Sequence, residues 1–97
     1  MGKHVWFTYI LLCADGSFYV GHTDDLEERI SRHNNGKGAK WTACRLPVKL
    51  IYTERFQTAK ESIHREIQIK KWSRAKKEAL AIGDTEKVKA LAKCRKK

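Results

Sequence analysis

Several things are scarce in this 97-residue sequence. No apolar run approaches the roughly 20 residues that a bilayer span requires. The longest, Val5 to Cys13, is strand-sized and is interrupted by Thr8, so no membrane location is expected. Its first residues lack the pattern of a secretory signal. Proline occurs once, at Pro47, and no Pro- or Ser-rich linker or internal repeat divides the chain. Cysteine occurs three times, at Cys13, Cys44 and Cys94, with no C-x-x-C pair. That pattern suggests reduced thiols in a cytosolic protein, and no His or Cys pair has zinc-finger spacing. Hydrophobic residues nevertheless make up 41% of the chain, which excludes a disordered tail and suits one compact domain.

Negative charge is also scarce. Eleven acidic residues face twenty-one basic ones, leaving +10. The imbalance is concentrated: Lys70 to Lys97 carries eleven basic and three acidic residues and accounts for +8 of that total. A polyanion binder has this composition, because each Lys or Arg near a phosphate releases condensed counterions. A solvated helical tail that keeps the protein soluble is the plainer alternative. An anionic membrane surface fits less well, since the basic stretch lacks a strong opposing apolar face.

Periodicity predicts a β-hairpin followed by helices around a third strand. Residues 5–13 read as a buried strand, Ala14-Asp15-Gly16-Ser17 as a turn, and Phe18-Tyr19-Val20-Gly21 as the returning strand. Asp24 is expected to cap a first helix whose inner face carries Leu26 and Ile30, and Asn34-Asn35-Gly36 to stop it. The run VKLIYTERF after Pro47 predicts a third strand. A second helix is expected from Thr58 or Ala59 to about Trp72, a third from Ser73 to about Ile82, and a last one after Asp84 through Lys93. The order β-β-α-β-α plus C-terminal helices predicts an α/β (α+β) fold, a three-stranded antiparallel sheet flanked by helices. Residues 1–82 are expected to form the domain and 83–97 a basic helical extension of it.

Three features break the pattern of an ordinary core. On a helix advancing about 100° per residue from Leu26, Arg29 and His33 flank the apolar stripe. In the second helix, counted from Ala59, Ile63 and Ile67 lie at about 40° and 80°, and Glu66 and Lys70 at about 340° and 20°. A carboxylate and an ammonium thus fall inside the expected buried arc. A structural ion pair, Glu66 with Lys70 or Arg29, explains them without any ligand. A carboxylate, an Arg and a His converging on one sheet face is also equipment for phosphodiester hydrolysis. The third feature is the pair Tyr9 and Tyr19. A two-residue turn would place them on opposite faces of the hairpin. A three-residue loop with Gly16 left-handed pairs Leu11 with Tyr19 and puts both rings on one face, and this register is the one expected.

Thr8-Tyr9-Ile10, then Tyr19-Val20-Gly21, then Leu26-x-x-Arg29-x-x-x-His33-Asn34 and the Ile63-His64-Arg65-Glu66 segment together resemble the GIY-YIG nuclease family. The small single-domain, YhbQ-like group is the nearest in pattern, over residues 4 to about 82. The resemblance implies a metal-dependent endonuclease acting on DNA, in repair, recombination or foreign-DNA processing. It assigns Tyr9, Tyr19, Arg29, His33 and Glu66 to the catalytic site. Tyr9 is the preferred general base, Arg29 holds the scissile phosphate, His33 hydrogen-bonds in the cluster, and Glu66 holds a single Mg²⁺ or Mn²⁺. Help from Arg29, the metal and a neighbouring His is expected to lower the tyrosine pKa. Gly21 is expected to permit close approach of backbone or phosphate. The first motif lacks its glycine, His22 stands where some members carry lysine, and no Asn follows Asn35 where many members place one after the metal glutamate.

The loop from Gly36 to Thr42 offers Lys37, Lys40 and Trp41 for backbone contacts and base stacking, with an ordinary loop and a core Trp41 as the equal alternative. Lys70, Lys71 and Arg74 complete the expected nucleic-acid surface. Nothing in the chain marks a sequence-reading element, so recognition by shape is expected, in a cytoplasmic protein that is nucleoid-associated if bacterial. A targeting protein partner is left open. Two rival accounts remain at this point: a nucleic-acid binding module that cuts weakly or not at all, and a basic adaptor for an acidic protein.

Overall fold

The computed structural model describes residues 5–83. Strands β1 (Trp6–Cys13) and β2 (Phe18–Thr23) form the hairpin, followed by α1 (Leu26–Asn34), a four-residue helix α2 (Lys40–Ala43) and β3 (Val48–Phe56). Helices α3 (Ala59–Lys70) and α4 (Arg74–Ala81) complete the described chain. The sheet is antiparallel in the order β2-β1-β3. The expected fold class therefore holds. The helix expected after Asp84 lies outside the described residues.

The hairpin takes the three-residue loop. Leu11 pairs with Tyr19 and Leu12 with Phe18, the Cys13 N–H donates to the Ser17 carbonyl at 2.8 Å, and Gly16 has φ 86°. Only a residue without Cβ takes that φ cheaply, so Gly16 sets the register. The register in turn decides which side chains face which layer.

β1 is the central strand and helices pack on both faces of the sheet, so Thr8, Tyr9, Ile10 and Leu11 are all fully buried. On one face Tyr9, Leu11, Cys13 and Val48 pack with Leu26 and Ile30 of α1. On the other, Ile10 and Val20 pack with Ile69 of α3, Trp72 and Leu80. Each fully buried aliphatic side chain contributes about 1.5–3 kcal/mol. A bulge in β3 lies opposite Ile10 and Leu11, which pair with Tyr52 and Leu50 and leave Ile51 as the extra residue.

Two local expectations are corrected. Asp25, not Asp24, caps α1: its carboxylate accepts from the Glu28 N–H at 3.1 Å. The Thr23 hydroxyl accepts the Asp25 N–H at 3.1 Å and so delays the first helical turn by one residue. Helix α3 is rotated from the face its isoleucines suggest. Ser62 and Ile69 are buried, whereas Ile63 and Ile67 are 36% and 48% exposed. The Thr8 hydroxyl donates to the Ser62 carbonyl at 2.8 Å, which brings the Ser62 side of the helix against the sheet. Thr58, one of the two expected starting residues, caps α3, and Ser73 caps α4 as expected.

Candidate active site

Tyr9 leaves the central strand on the α1 side of the sheet and leans across its neighbour in the edge strand. Gly21 is paired with Tyr9, and a Cβ built on it would lie 2.5 Å from the Tyr9 hydroxyl oxygen and 2.7 Å from Cζ. The missing side chain at Gly21 is therefore what lets the hydroxyl reach the edge of the sheet.

Helix α1 closes over that hydroxyl. The Arg29 Nε–H donates to it at 3.4 Å, and His33 Nε2 lies 3.3 Å away. The His33 ring is fully buried, edge-on to Tyr9 and Tyr19 at centroid distances of 6.3 and 5.2 Å. Tyr19 lies 6.5 Å from Tyr9 on the same face, as the loop register requires. Four expected site residues, Tyr9, Tyr19, Arg29 and His33, thus form one cluster.

The electrostatics of the cluster oppose charge separation at rest. Burial raises the Tyr9 pKa above 10.0, and the nearby Arg29 only partly offsets that. Arg29 thus lowers the Tyr9 pKa as expected, but burial outweighs it and the group stays above its ordinary value. Burial, reinforced by Arg29, holds the His33 imidazole below 6.5. Tyrosine and histidine are accordingly both neutral near neutrality, and Arg29 stays charged.

Glu66 reaches the cluster from elsewhere. Its helix packs on the opposite sheet face from α1, so the five residues do not converge on one face as expected. Glu66 instead pairs with His22 of the edge strand β2, and its charge is the smallest of the influences that raise the Tyr9 pKa. Glu66 is 13% exposed in its side chain and both of its oxygens are engaged, one by His22 Nδ1 and the other by Lys70 Nζ at 2.7 Å. The ion pair with Lys70 that helix geometry allowed is therefore formed. His22 was not singled out as a site residue. Pairing with Thr8 turns it toward α3, and only the strand register could have shown this.

The expected nucleic-acid residues divide. Trp41 stacks on Tyr19 at 6.1 Å with 28° between the rings and is 40% exposed, so it borders the cluster rather than filling the core. The Arg45 guanidinium sits 4.0 Å over its ring. Lys37 and Lys40 are exposed on the same loop and helix. Lys70 is committed to Glu66, and Arg74 lies 4.5 Å over the Phe18 ring. Lys71 is five residues past Glu66, about 140° round the helix. It lines a separate groove of about 820 Å³ with Phe56, His64, Ile67 and Trp72, which takes in none of the five expected catalytic residues.

Between Gly36 and Thr42 the chain does more than offer amides. A Cβ on Gly38 would meet the His33 ring, with Cε1 and Cγ both at 2.8 Å. The buried Thr42 hydroxyl lies 2.8 Å from His33 Nδ1 and donates to the Ala39 carbonyl at 2.9 Å. The loop expected to grip nucleic acid thus builds the wall behind His33. Thr42 gave no sequence signal beyond its place in that loop.

This arrangement agrees with the comparisons. Residues 5–79 match the family model described as the GIY-YIG catalytic domain. The chain belongs to the GIY-YIG family. Within it, the chain is 50% identical over 78 residues to a UPF0213 protein of Bacillus pumilus, covering 80% of each. It is 52% identical over 77 residues to one of Staphylococcus saprophyticus, covering 79% of this chain and 92% of the relative. A UPF0213 protein of Bacillus halodurans, solved by NMR in solution, superposes with a TM-score of 0.53 at 42% identity. That match covers 86% of this chain and 92% of the other. A protein of E. faecalis, also solved by NMR in solution, superposes with a TM-score of 0.56 at 44% identity, covering 81% of this chain and 84% of the other. The chain is thus a small GIY-YIG domain, and the family's catalytic domain is that of a nuclease. Among the described residues, no helix is long and apolar enough to cross a membrane.

Proposed function

We propose that this GIY-YIG domain is a metal-dependent endonuclease that hydrolyses DNA phosphodiester bonds, selecting its substrate by shape rather than sequence. Repair, recombination or processing of foreign DNA are the settings such an activity serves. The observation that carries this reading is the Tyr9 hydroxyl, which lies between a donor-only guanidinium and a neutral imidazole nitrogen at the edge of the sheet. Tyr9 serves as general base for an attacking water. Its hydroxyl is covered at rest, and moving the half-buried Arg29 onto a phosphate uncovers it. Arg29 then neutralises phosphate charge, while Tyr9 takes a proton from the water as the oxygen attacks phosphorus.

The donor set at Glu66 suits one hard divalent cation. Among the described residues no three His, Cys, Asp or Glu side chains gather as a metal cage. Mg²⁺ commonly binds through one or two carboxylates and keeps its waters and substrate phosphates. The Lys70 ammonium already holds a positive charge against this carboxylate, and its side chain is half exposed, so it can give way. Glu66 would hold Mg²⁺ or Mn²⁺ there, with His22 on the other oxygen orienting it. The bound ion would supply charge neutralisation at the phosphate and leaving oxygen.

Trp41, Lys37 and Lys40 extend the site along one side, with Lys71, Arg74 and the basic residues after position 83 adding sequence-independent attraction. The domain and its basic extension act as one unit in this reading. A second reading, a binding module that cuts weakly, is favoured by Glu66 having both oxygens paired. Cleavage of labelled DNA by wild type and Glu66→Gln, with and without divalent metal, separates the two. Metal-dependent cutting lost in the variant supports the nuclease; equal DNA binding with no cutting by either supports the module.

A further inference from the structure

The hydrogen bonds around His33 leave one arrangement of protons. The Ala39 carbonyl can only accept, so the Thr42 hydroxyl that donates to it at 2.9 Å has spent its proton. Thr42 Oγ1 must then accept from the nitrogen 2.8 Å away, which requires His33 Nδ1 to carry hydrogen. At the other end, Arg29 Nε–H can only donate to the Tyr9 oxygen. The Tyr9 proton is left to point at His33 Nε2, which in a neutral Nδ1–H imidazole is a bare lone pair. Gly38 holds the ring in this pose, since anything larger would occupy the space of Cγ and Cε1. The groups facing the ring are Tyr9 and Tyr19 from the sheet, Arg29 from its own helix, and Gly38 and Thr42 from the loop and α2; Glu66 lies further off across the sheet edge.

We propose that Thr42 is a positioning residue: anchored on the Ala39 carbonyl, it fixes the His33 tautomer so that Nε2 accepts the Tyr9 proton. When Tyr9 acts, its O–H bond breaks and an N–H bond forms at His33 Nε2. The electron pair left on the tyrosine oxygen takes the proton of the attacking water, whose own pair forms the new bond to phosphorus as the bond to the leaving oxygen breaks. Arg29, by then on the phosphate, neutralises its charge, and the imidazolium later releases its extra proton. This last step rests on the nuclease reading, whereas the tautomer assignment does not.

The test is ¹⁵N NMR of the histidine side chains in the full-length chain without nucleic acid, the His33 signals being assigned by their loss in His33→Gln. Wild type and Thr42→Ser are expected to show the Nδ1–H form. Thr42→Val, which keeps the shape but not the hydroxyl, is expected to lose that preference. Its kcat on DNA is expected to fall by about tenfold or more, with KM little changed and Thr42→Ser near wild type. A wild-type His33 in the Nε2–H form overturns the proposal, whether or not the valine variant folds. So does a folded Thr42→Val that keeps the Nδ1–H form. A wild type that cuts no nucleic acid removes the nuclease reading while leaving the tautomer result to decide the role of Thr42.

Discussion

Replacing Gly21 with alanine is expected to separate activity from folding. The new Cβ would lie 2.5 Å from the Tyr9 hydroxyl, where ordinary contact begins near 3.4 Å, so the hydroxyl must retreat by about 1 Å. Tyr9 is fully buried and cannot swing into solvent. Overpacking of this kind costs about 1–3 kcal/mol. For a domain of this size each kcal/mol lowers Tm by about 4–8 °C. A displacement of 1 Å at a reacting group costs about 10²-fold in rate, and the same shift breaks the contacts to Arg29 and His33. The assay is single-turnover cleavage beside DNA affinity and thermal unfolding. Gly21→Ala should lose about a hundredfold in rate while retaining DNA affinity. Gly16→Ala is the control, because a Cβ there meets nothing within 4 Å and only its φ of 86° is strained. It should lose about 1 kcal/mol of stability and no activity. Gly21→Ala cutting at the wild-type rate with an unmoved Tm would refute the packing reasoning.

Further expectations follow from the charged and titratable groups. Arg65 grips Glu54 through two nitrogens, each 2.9 Å from an oxygen, and Tyr52 donates to the same carboxylate at 2.5 Å; Glu54→Gln should cost about 1–3 kcal/mol, read from urea unfolding. Burial first and Glu54 second push the Tyr52 pKa up to about 12, so the folded state holds a proton that the unfolded state releases near 10. Stability from this group is complete below pH 10 and falls as pH rises toward 12, and Tyr52→Phe should flatten that limb. His33, held below 6.5 by burial and Arg29, works in the other direction: the unfolded state binds its proton first, so stability should fall as pH drops below about 6.5, and cleavage should fall at the lower pH where folded His33 takes up its proton. His33→Gln should remove that acid limb along with most of the activity. DNA affinity should fall steeply with salt, and replacing Lys37 and Lys40 with Gln should reduce the slope of log K against log salt by about 2.

Local chemistry made part of this structure legible in the sequence. The hairpin register could be read because only a three-residue loop with a left-handed Gly16 puts Tyr9 and Tyr19 on one face. The placement of Arg29 and His33 followed from the stripe set by Leu26 and Ile30. Helix α3 misled, because Ile63 and Ile67 point outward while Ser62 and Ile69 face inward, the Ser62 carbonyl accepting from the Thr8 hydroxyl. A helical wheel registers the apolar side chains and not a backbone carbonyl that accepts a bond from 54 residues away. The side of the sheet that α3 covers is a matter of topology, so Glu66 was assigned to the face of Arg29 and His33, whereas its helix packs on the other. His22 and Thr42 were missed for a related reason. Each acts through a tertiary contact, with Glu66 and with His33, that no local spacing encodes.

The central claim, that this edge of the sheet cuts a nucleic-acid backbone, is tested most directly by cleavage of end-labelled DNA. Purified protein would be offered single-stranded, duplex and branched DNA in Mg²⁺, Mn²⁺ or EDTA, beside Tyr9→Phe and Glu66→Ala. Cutting by wild type that requires the metal and falls by at least about a hundredfold in each variant, with DNA binding kept, is the expected result. Equal DNA binding by all three proteins and no cutting of any substrate by the wild type would contradict it.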